Sequence, residues 1–228
     1  MRLATVKDPI QSSGLGDRNN FSIAASAKAF DILSSNLYQN KILAVIREVS
    51  CNAADANKSV GKDTSTIRVH VPTFGEPWFS VRDQGPGLSQ TDVMQLYTTY
   101  FQSTKDNSDD LIGGFGLGSK SPFAVADQFT VTSWHGGFQS EYVMYKDAGL
   151  PRVNLIRSVP SNEPTGMLVQ VPSTKDFRTW AEEITGFFMW WQTKPWFSIA
   201  ITFPENPLLG EPKSTTILSN GLPAWITG

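Results

Sequence analysis

The sequence predicts an α+β protein in which helices cover one face of a mixed, mostly antiparallel sheet. Helix-like and strand-like segments occur in blocks rather than as strict βα repeats, which favours a two-layer arrangement over a parallel sheet. Several segments alternate apolar and polar residues, as half-buried strands do. The 228 residues are 40% hydrophobic and 18% charged, a balance that allows a chain of this length to bury a sizeable core.

Two helix-like segments come first, at residues 21–38 and 40–61. Apolar residues recur at helical spacing in both, and Gly61 is a natural stop for the second. The buried side of the second helix is expected to hold Ile42, Val45, Ile46, Val49 and Ala53. A third, short helix is predicted after Ser89, because Ser89 and Asp92 form a capping signature in front of an apolar stretch.

Strand-like alternation occurs at residues 66–73 and 77–84, which a turn joins. A helix is expected near Pro122 to Val125. Three or four more strands are then predicted, within residues 128–136, 138–147, 151–160 and 165–172. The helices and strands are therefore expected to form separate layers.

Composition and charge exclude several classes of protein. The net charge is −2 and the basic residues are scattered, so nucleic acid is not expected as the main partner. The single cysteine, Cys51, excludes an internal disulfide and fits a reducing compartment. No run approaches 18 apolar residues, and residues 1–20 do not resemble a signal sequence. We therefore expect a cytoplasmic protein.

Three polar side chains share one face of the second helix. Glu48 and Asn52 lie four residues apart and Asp55 three further on, so all three project in roughly the same direction. A carboxylate can take a proton from water, and an amide oxygen can hold Mg²⁺ without adding charge beside a phosphate. The pattern predicts a hydrolytic site, with a solvated polar face as the alternative.

A carboxylate and two glycines follow the second strand, in the order Asp83, Gly85, Gly87. Asp83 can accept a hydrogen bond from an exocyclic amine such as that of adenine. The glycines allow a planar group to lie against the backbone. This segment is therefore a candidate adenine site.

Four glycines lie within residues 112–118, directly before an expected helix. Clustered glycines allow backbone N–H groups to approach an anion, and a helix N-terminus adds partial positive charge. The segment predicts a phosphate site, with a plain structural loop as the alternative. The candidate residues are Gly113, Gly114, Phe115, Gly116, Leu117, Gly118, Ser119 and Lys120.

The order of the three segments resembles the GHKL ATPases, the superfamily of gyrase, HtpG-type chaperones, histidine kinases and MutL. Residues 47–56 (REVSCNAADA) look like its N-box, residues 81–87 (VRDQGPG) like its adenine box, and residues 112–127 like the glycine box of the chaperone branch. Longer strings, among them LYTTYFQSTKDNSDD and GLGSKSPFA, are similar to phage rIIA-type proteins. The resemblance implies the two-layer Bergerat fold, with ATP and Mg²⁺ as cofactors.

The resemblance also implies roles for these residues. Glu48 would be the general base for the attacking water, Asn52 the Mg²⁺ ligand and Asp83 the adenine anchor. Gly85 and Gly87 would flank the base. Asp55 belongs to the same N-box and is a further candidate for nucleotide contact.

An ATP lid is implied at residues 88–118. Lys105 is its candidate phosphate contact, and Lys120 is another. Thr165 is the candidate residue of the superfamily's last box, although Thr165 and Gly166 stand here in the reverse of the usual order.

The implied organisation is an N-terminal arm at residues 1–20 and an ATP-binding domain at residues 21–172. Residues 173–228 would start a second domain or a C-terminal extension, which we expect to be truncated. Within this last segment Trp180, Ile184, Phe187 and Trp191 form an aromatic stripe. The stripe is typical of a core or a domain junction, with a membrane-surface or partner role as the alternative.

The implied function is that of a slow Mg²⁺-dependent ATPase from a phage rIIA-like protein in the host cytoplasm. Its nucleotide state would gate lid closure and either homodimer formation or binding of a host or phage protein, and rIIA-type proteins are associated with lysis timing. Two alternatives remain: a nucleotide-gated interaction protein that does not hydrolyse ATP, and a fragment of a topoisomerase-like machine.

Overall fold

The computed structural model describes residues 38–98, 118–173 and 176–204, together with the backbone of residues 214–217. The α-helices in these ranges are α1 (Lys41–Ser59), α2 (Gln90–Thr98) and α3 (Phe177–Phe188), and 3₁₀ helices span Thr64–Thr66 and Gly118–Ala124. The strands are β1 (Arg68–His70), β2 (Trp78–Arg82), β3 (Gln128–His135), β4 (Phe138–Asp147), β5 (Leu150–Pro160), β6 (Gly166–Pro172), β7 (Trp196–Phe197), β8 (Ile201–Pro204) and β9 (Ser214–Ile217). No helix in the described ranges is long and apolar enough to cross a membrane.

Seven of the strands form one sheet, in the order β5-β4-β3-β6-β2-β1-β7. Neighbouring strands are antiparallel except β1 and β7, which run parallel. Strands β8 and β9 pair separately as an antiparallel ribbon. The predicted α+β architecture with a mixed, mostly antiparallel sheet is confirmed.

One face of the sheet carries the core. Alternate residues of the strands are buried there, among them Phe79, Val81 and Val131. Helix α1 packs into this core through four of the five residues predicted for its inner side, Val45, Ile46, Val49 and Ala53. The fifth, Ile42, is half-buried at the edge of the same cluster.

Side-chain hydrogen bonds hold both ends of α1. Oδ1 of Asn40 accepts the backbone N–H of Leu43 at 3.0 Å, as asparagine does at helix N-caps. Near the other end, Asn57 is fully buried, and its Oδ1 accepts the backbone N–H of Gln84 at 2.8 Å. The second bond ties α1 to the residue that follows Asp83.

Helix α2 begins where the capping signature predicts. The Ser89 hydroxyl donates to the Asp92 carboxylate at 2.5 Å and accepts the Asp92 backbone N–H at 3.2 Å. The helix buries Val93 and Tyr97. The Tyr97 ring lies 6.0 Å from that of Phe129 in β3, so α2 packs on the core face of the sheet.

Gly118–Ala124 form a 3₁₀ helix, in the region where a helix was predicted near Pro122 to Val125. Pro122 lies inside the segment, and because it has no backbone N–H, any helix through it lacks one hydrogen bond. The N–H groups of Val125 and Ala126 both donate to the Pro122 carbonyl and close the segment. The 3₁₀ helix packs against α1.

The chain after residue 172 returns to the same core. Trp180 of α3 stacks on Phe79 of β2, with ring centroids 5.0 Å apart. Trp180, Ile184 and Phe188 are buried, and β7 extends the sheet beside β1. The core role predicted for the aromatic stripe is confirmed at Trp180 and Ile184, whereas the position of a domain boundary stays a prediction.

Candidate functional site

Asp83 follows β2 and is 5% exposed. Its Oδ1 accepts the backbone N–H of Gly85 at 2.8 Å and that of Met167 at 3.1 Å. Burial raises the pKa of Asp83 to about 6, although the hydrogen bonds and the Arg82 guanidinium act in the opposite direction. Within the described residues Oδ2 accepts no hydrogen bond, so Oδ2 is the oxygen available to a ligand.

The two glycines after Asp83 pack tightly. A Cβ at residue 85 would lie 2.7 Å from the Cβ of Ala56 in α1, so only glycine allows this approach. Gly87 has φ +68°, and a Cβ there would collide with the Trp134 carbonyl. Both glycines thus have a packing role, and their predicted place beside a nucleotide base stays a prediction.

Strand β6 reaches Asp83 through Gly166 and Met167. The Met167 N–H donates to the carboxylate, and a Cβ at residue 166 would collide with the Asp83 carbonyl. Thr165 is exposed. The reversed Thr165–Gly166 order therefore places the residue without a side chain against Asp83, and the nucleotide contact of Thr165 stays a prediction.

Arg82 contacts the backbone on both sides of the Asp83 site, although the sequence patterns above do not identify it. Its guanidinium donates to the carbonyls of Asp83 and Pro164, the latter at 2.8 Å. It also stacks over the Trp134 ring, 3.9 Å from the centroid. An arginine directly before a buried carboxylate is the sequence signal that could have identified it.

Glu48, Asn52 and Asp55 lie on successive turns of α1, as their spacing predicts. Glu48 and Asn52 are half-buried, and Asp55 is 6% exposed. Glu48 Oε1 pairs with the exposed Arg47 guanidinium at 2.9 Å. Burial raises the pKa of Tyr38, and the Glu48 carboxylate adds to this effect.

The Glu48 carboxylate lies against Gly118, the last of the four glycines and the only one of them that the structure describes. A Cβ at residue 118 would collide with Glu48 Oε2. Ala56, which contacts Gly85, lies just over two turns further along α1, about 12 Å at the helical rise per residue. One helix therefore brings together the candidate base, the candidate adenine segment and the candidate phosphate segment.

Buried hydroxyl groups occur in and beside the phosphate segment. The side-chain oxygens of Ser119 and Ser121, and that of Ser50 in α1, are buried and make no hydrogen bond within the described part of the chain. A buried polar group without a partner costs about 1–3 kcal/mol, so a bound ligand or water is the usual partner. Ser119 was a candidate from the sequence, whereas Ser121 and Ser50 were not.

Lys120 lies in the same segment but points to α2. It is 1% exposed, and its ammonium donates to the Leu96 carbonyl at 2.6 Å. Burial lowers the pKa of Lys120 to about 8. The structure thus gives this candidate phosphate ligand a protein partner.

The remaining candidates lie outside the described residues. They are Lys105, Gly113, Gly114, Phe115, Gly116 and Leu117. Most of the predicted lid and the predicted N-terminal arm also lie there, so these assignments stay predictions.

The described residues fit a magnesium nucleotide. Asp83 offers a buried oxygen acceptor for an amine, and Ser119 and Ser121 offer buried hydroxyls in the phosphate segment. The Asn52 amide oxygen is a ligand that Mg²⁺ accepts, and in nucleotide sites one or two protein groups commonly share this ion with phosphate oxygens. Bound there, the ion would neutralise charge on the phosphates.

The match to a protein family covers this site. Residues 38–167 match the family described as histidine kinase-, DNA gyrase B- and HSP90-like ATPase. The match extends over more than half of the chain and includes α1, Asp83 and the 3₁₀ helix at Gly118–Ala124. The chain belongs to this family and contains an ATPase domain of the GHKL type.

Similarity to individual proteins of the family is distant. Over 150 residues the chain is 31% identical to the chaperone protein HtpG of Rhodococcus jostii and 29% identical to that of Mycolicibacterium vanbaalenii, over 55% of this chain and 23% of each relative. HtpG of Rickettsia akari is 30% identical over 149 residues, which are 54% of this chain and 23% of the relative. The chain thus spans about a quarter of the length of these curated relatives.

Proposed function

We propose that the chain is a slow Mg²⁺-dependent ATPase module in which Asp83 anchors adenine, Asn52 holds the metal and Glu48 activates the attacking water. The observation that carries the proposal is the position of α1, whose Ala56 contacts Gly85 and whose Glu48 contacts Gly118. Helix α1 thus carries the catalytic candidate Glu48 and contacts both the candidate adenine segment and the candidate phosphate segment.

Base recognition rests on the free side of the Asp83 carboxylate. Backbone N–H groups hold Oδ1, so Oδ2 is left to accept from the exocyclic amine of adenine. Guanine carries a carbonyl at the equivalent position, and two acceptors would then face each other. The proposed site therefore prefers ATP to GTP.

Hydrolysis rests on Glu48. Arg47 holds Oε1, whereas Oε2 faces Gly118 and is the oxygen nearer to the phosphate segment. A carboxylate in that position can take a proton from a water that attacks the terminal phosphate.

Calorimetry with ATP and Mg²⁺ tests the binding half of the proposal. Asparagine can keep both backbone hydrogen bonds of Asp83, but its amide NH₂ cannot accept from adenine, so Asp83→Asn is expected to abolish detectable binding. Asp127→Asn is the matched control, because the Asp127 side chain is 89% exposed. Binding by Asp83→Asn at the level of the unmodified chain would contradict the adenine assignment.

The finer parts of the proposal are the phage rIIA-like identity, the host cytoplasm, nucleotide-gated lid closure and a host or phage partner. An ATP-driven homodimer through the N-terminal arm is a further part. Light scattering on the full chain and on a chain lacking residues 1–15, each with a non-hydrolysable ATP analogue, tests it. A full chain that stays monomeric in saturating analogue would contradict the dimer.

Two alternatives make different predictions. A nucleotide-gated interaction protein would bind ATP at the same site without turnover. A fragment of a topoisomerase-like machine would bind DNA, which the net charge of −2 does not favour.

A further inference from the structure

Two successive peptide groups after Asp83 are held by side chains from the end of α1 and the turn that follows it. The Gln84 N–H donates to Asn57 Oδ1 at 2.8 Å. The Gln84 carbonyl accepts from the ammonium of Lys62 at 3.0 Å. This carbonyl belongs to the same planar peptide group as the Gly85 N–H, which donates to Asp83 Oδ1 at 2.8 Å. Lys62 therefore holds the peptide group that binds one oxygen of the proposed adenine anchor.

We propose that Lys62 is a positioning residue for the nucleotide base. It holds the Gln84 carbonyl so that the Gly85 N–H stays on Asp83 Oδ1, and Oδ2 is left to accept from the exocyclic amine of adenine. This inference rests on the proposed ATP-binding function. Lys62 acts through the Asp83 carboxylate and contacts neither the base nor the phosphates.

The way in which α1 ends brings Lys62 to this place. The N–H groups of Val60 and Lys62 both donate to the Asn57 carbonyl, each at 3.0 Å. Gly61 has φ +73°, the left-handed conformation that commonly ends a helix and turns the chain back on it. The backbone of Lys62 thus lies beside Asn57, and the two side chains reach the same residue, Gln84.

Asn57 is a firm support for this arrangement. It is fully buried, and its Nδ2 donates to the Asp63 carbonyl at 2.9 Å and to the Thr66 hydroxyl at 2.8 Å. Since its Oδ1 accepts from Gln84, the amide uses both of its donor hydrogens and its acceptor oxygen. The first peptide group is therefore fixed, and only the two dihedral angles of Gln84 separate it from the peptide group that Lys62 holds.

The charge on Lys62 strengthens the hydrogen bond that it positions. A cation at a carbonyl oxygen polarises the peptide group, so the N–H on the other side of that group becomes a better donor. Without the ammonium, the Gly85 N–H is held less firmly on Oδ1. The Asp83 carboxylate can then turn, which moves Oδ2 away from the base.

Adenosine separates positioning of the base from contact with phosphate, because it carries the base without phosphates. The dissociation constants of ATP with Mg²⁺ and of adenosine are measured for the unmodified chain and for variants of Lys62. We expect both ligands to bind about tenfold more weakly to Lys62→Met, the loss typical of one charged hydrogen bond. Lys62→Arg keeps a charged donor and is expected to bind both within about threefold of the unmodified chain.

Lys58→Met is the matched control, because Lys58 is an exposed lysine in the last turn of α1. It should bind both ligands as the unmodified chain does. A loss for ATP alone in Lys62→Met would indicate contact with phosphate and overturn the inference. Equal affinities of Lys62→Met and Lys58→Met would overturn it as well.

Turnover separates positioning of the base from a general structural role. A weaker hold on the base should raise the KM for ATP about tenfold in Lys62→Met and leave kcat within about twofold, because Glu48 is not altered. A fall in kcat at unchanged KM would overturn the inference. Should Lys62→Met fail to fold, Lys62→Gln carries no charge and ends one atom short, and the same equal loss for both ligands is required of it.

Two outcomes separate this inference from the proposed function. If the unmodified chain binds neither ATP nor adenosine, both are wrong. If it binds both ligands and Lys62→Met binds them as tightly as Lys58→Met does, only the inference is wrong.

Discussion

If Asp83 anchors adenine as proposed, protonation and ligand binding compete at this residue. Two backbone N–H groups occupy Oδ1, so a proton binds Oδ2, the acceptor proposed for adenine. The pKa of Asp83 is about 6. ATP affinity is therefore expected to fall as the pH is lowered through about 6, approaching tenfold per pH unit below that value.

The Asp83 carboxyl affects the free energy of unfolding in the opposite direction: its contribution to stability falls, rather than rises, as the pH increases. Its pKa is raised in the folded chain, so the folded state binds the proton more tightly than the unfolded state. The stabilisation is complete below the ordinary aspartate value and is lost as the pH rises through about 6. Calorimetry on the unmodified chain measures the first effect and urea denaturation the second, and the pH dependence of stability should be absent from Asp83→Asn. A constant ATP affinity across the range would contradict the role of Oδ2.

Gly118 offers a test of the Glu48 position. A methyl group at residue 118 collides with the far end of a flexible side chain, so Gly118→Ala is expected to displace the Glu48 carboxylate with little effect on folding. We expect ATP turnover to fall about tenfold or more, as for a misplaced general base, while ATP binding changes less. Gly75→Ala is the control, because a Cβ there meets nothing within 4 Å. Equal turnover by the two variants would show that the contact between Gly118 and Glu48 is not needed for hydrolysis.

At the scale of elements, α3 is predicted to be part of the core of the ATPase domain. Trp180→Ala removes the side chain stacked on Phe79 and is expected to lower the free energy of unfolding by about 3–5 kcal/mol. Trp190→Ala, at a residue that is 58% exposed, is expected to change it little. Urea denaturation measures both, and a small effect at Trp180 would show that α3 does not stabilise this core.

Local patterns in the sequence were sufficient to predict most elements. The inner side of α1, the Ser89 cap of α2 and the strands β3, β4 and β6 follow from periodicity and capping, which depend on neighbours in the chain. A difference in helix type occurs at Gly118–Ala124, a 3₁₀ helix that contains Pro122. Each of these features is determined within a few residues.

The candidate site was predictable in its motifs but not in its contacts. The spacing of Glu48 and Asn52 placed them on one helix face, yet the hydrogen bonds from the Gln84 N–H to Asn57 and from Lys120 to Leu96 join residues 27 and 24 positions apart. Pairings of this kind depend on how whole elements pack. No local pattern encodes them.

At the scale of the whole molecule, the residues after 172 extend the helix layer and the sheet of the ATPase domain. Helix α3 and strand β7 cover the core and lengthen the sheet. A chain ending at residue 172 would leave Phe79 without Trp180 and β1 without β7, so we expect it to unfold at a lower urea concentration than the full chain. An unchanged midpoint would instead support a domain boundary at residue 172.

The most direct test of the central claim is to measure ATP binding and ATP turnover on the same preparation of Glu48→Gln. The substitution removes a base without altering Asp83, so we expect affinity within about twofold of the unmodified chain and turnover lower by about a hundredfold or more. Glu182→Gln, at an exposed residue of α3, should leave both unchanged. Turnover by Glu48→Gln at the rate of the unmodified chain would contradict the account, and so would an unmodified chain that binds ATP without hydrolysing it.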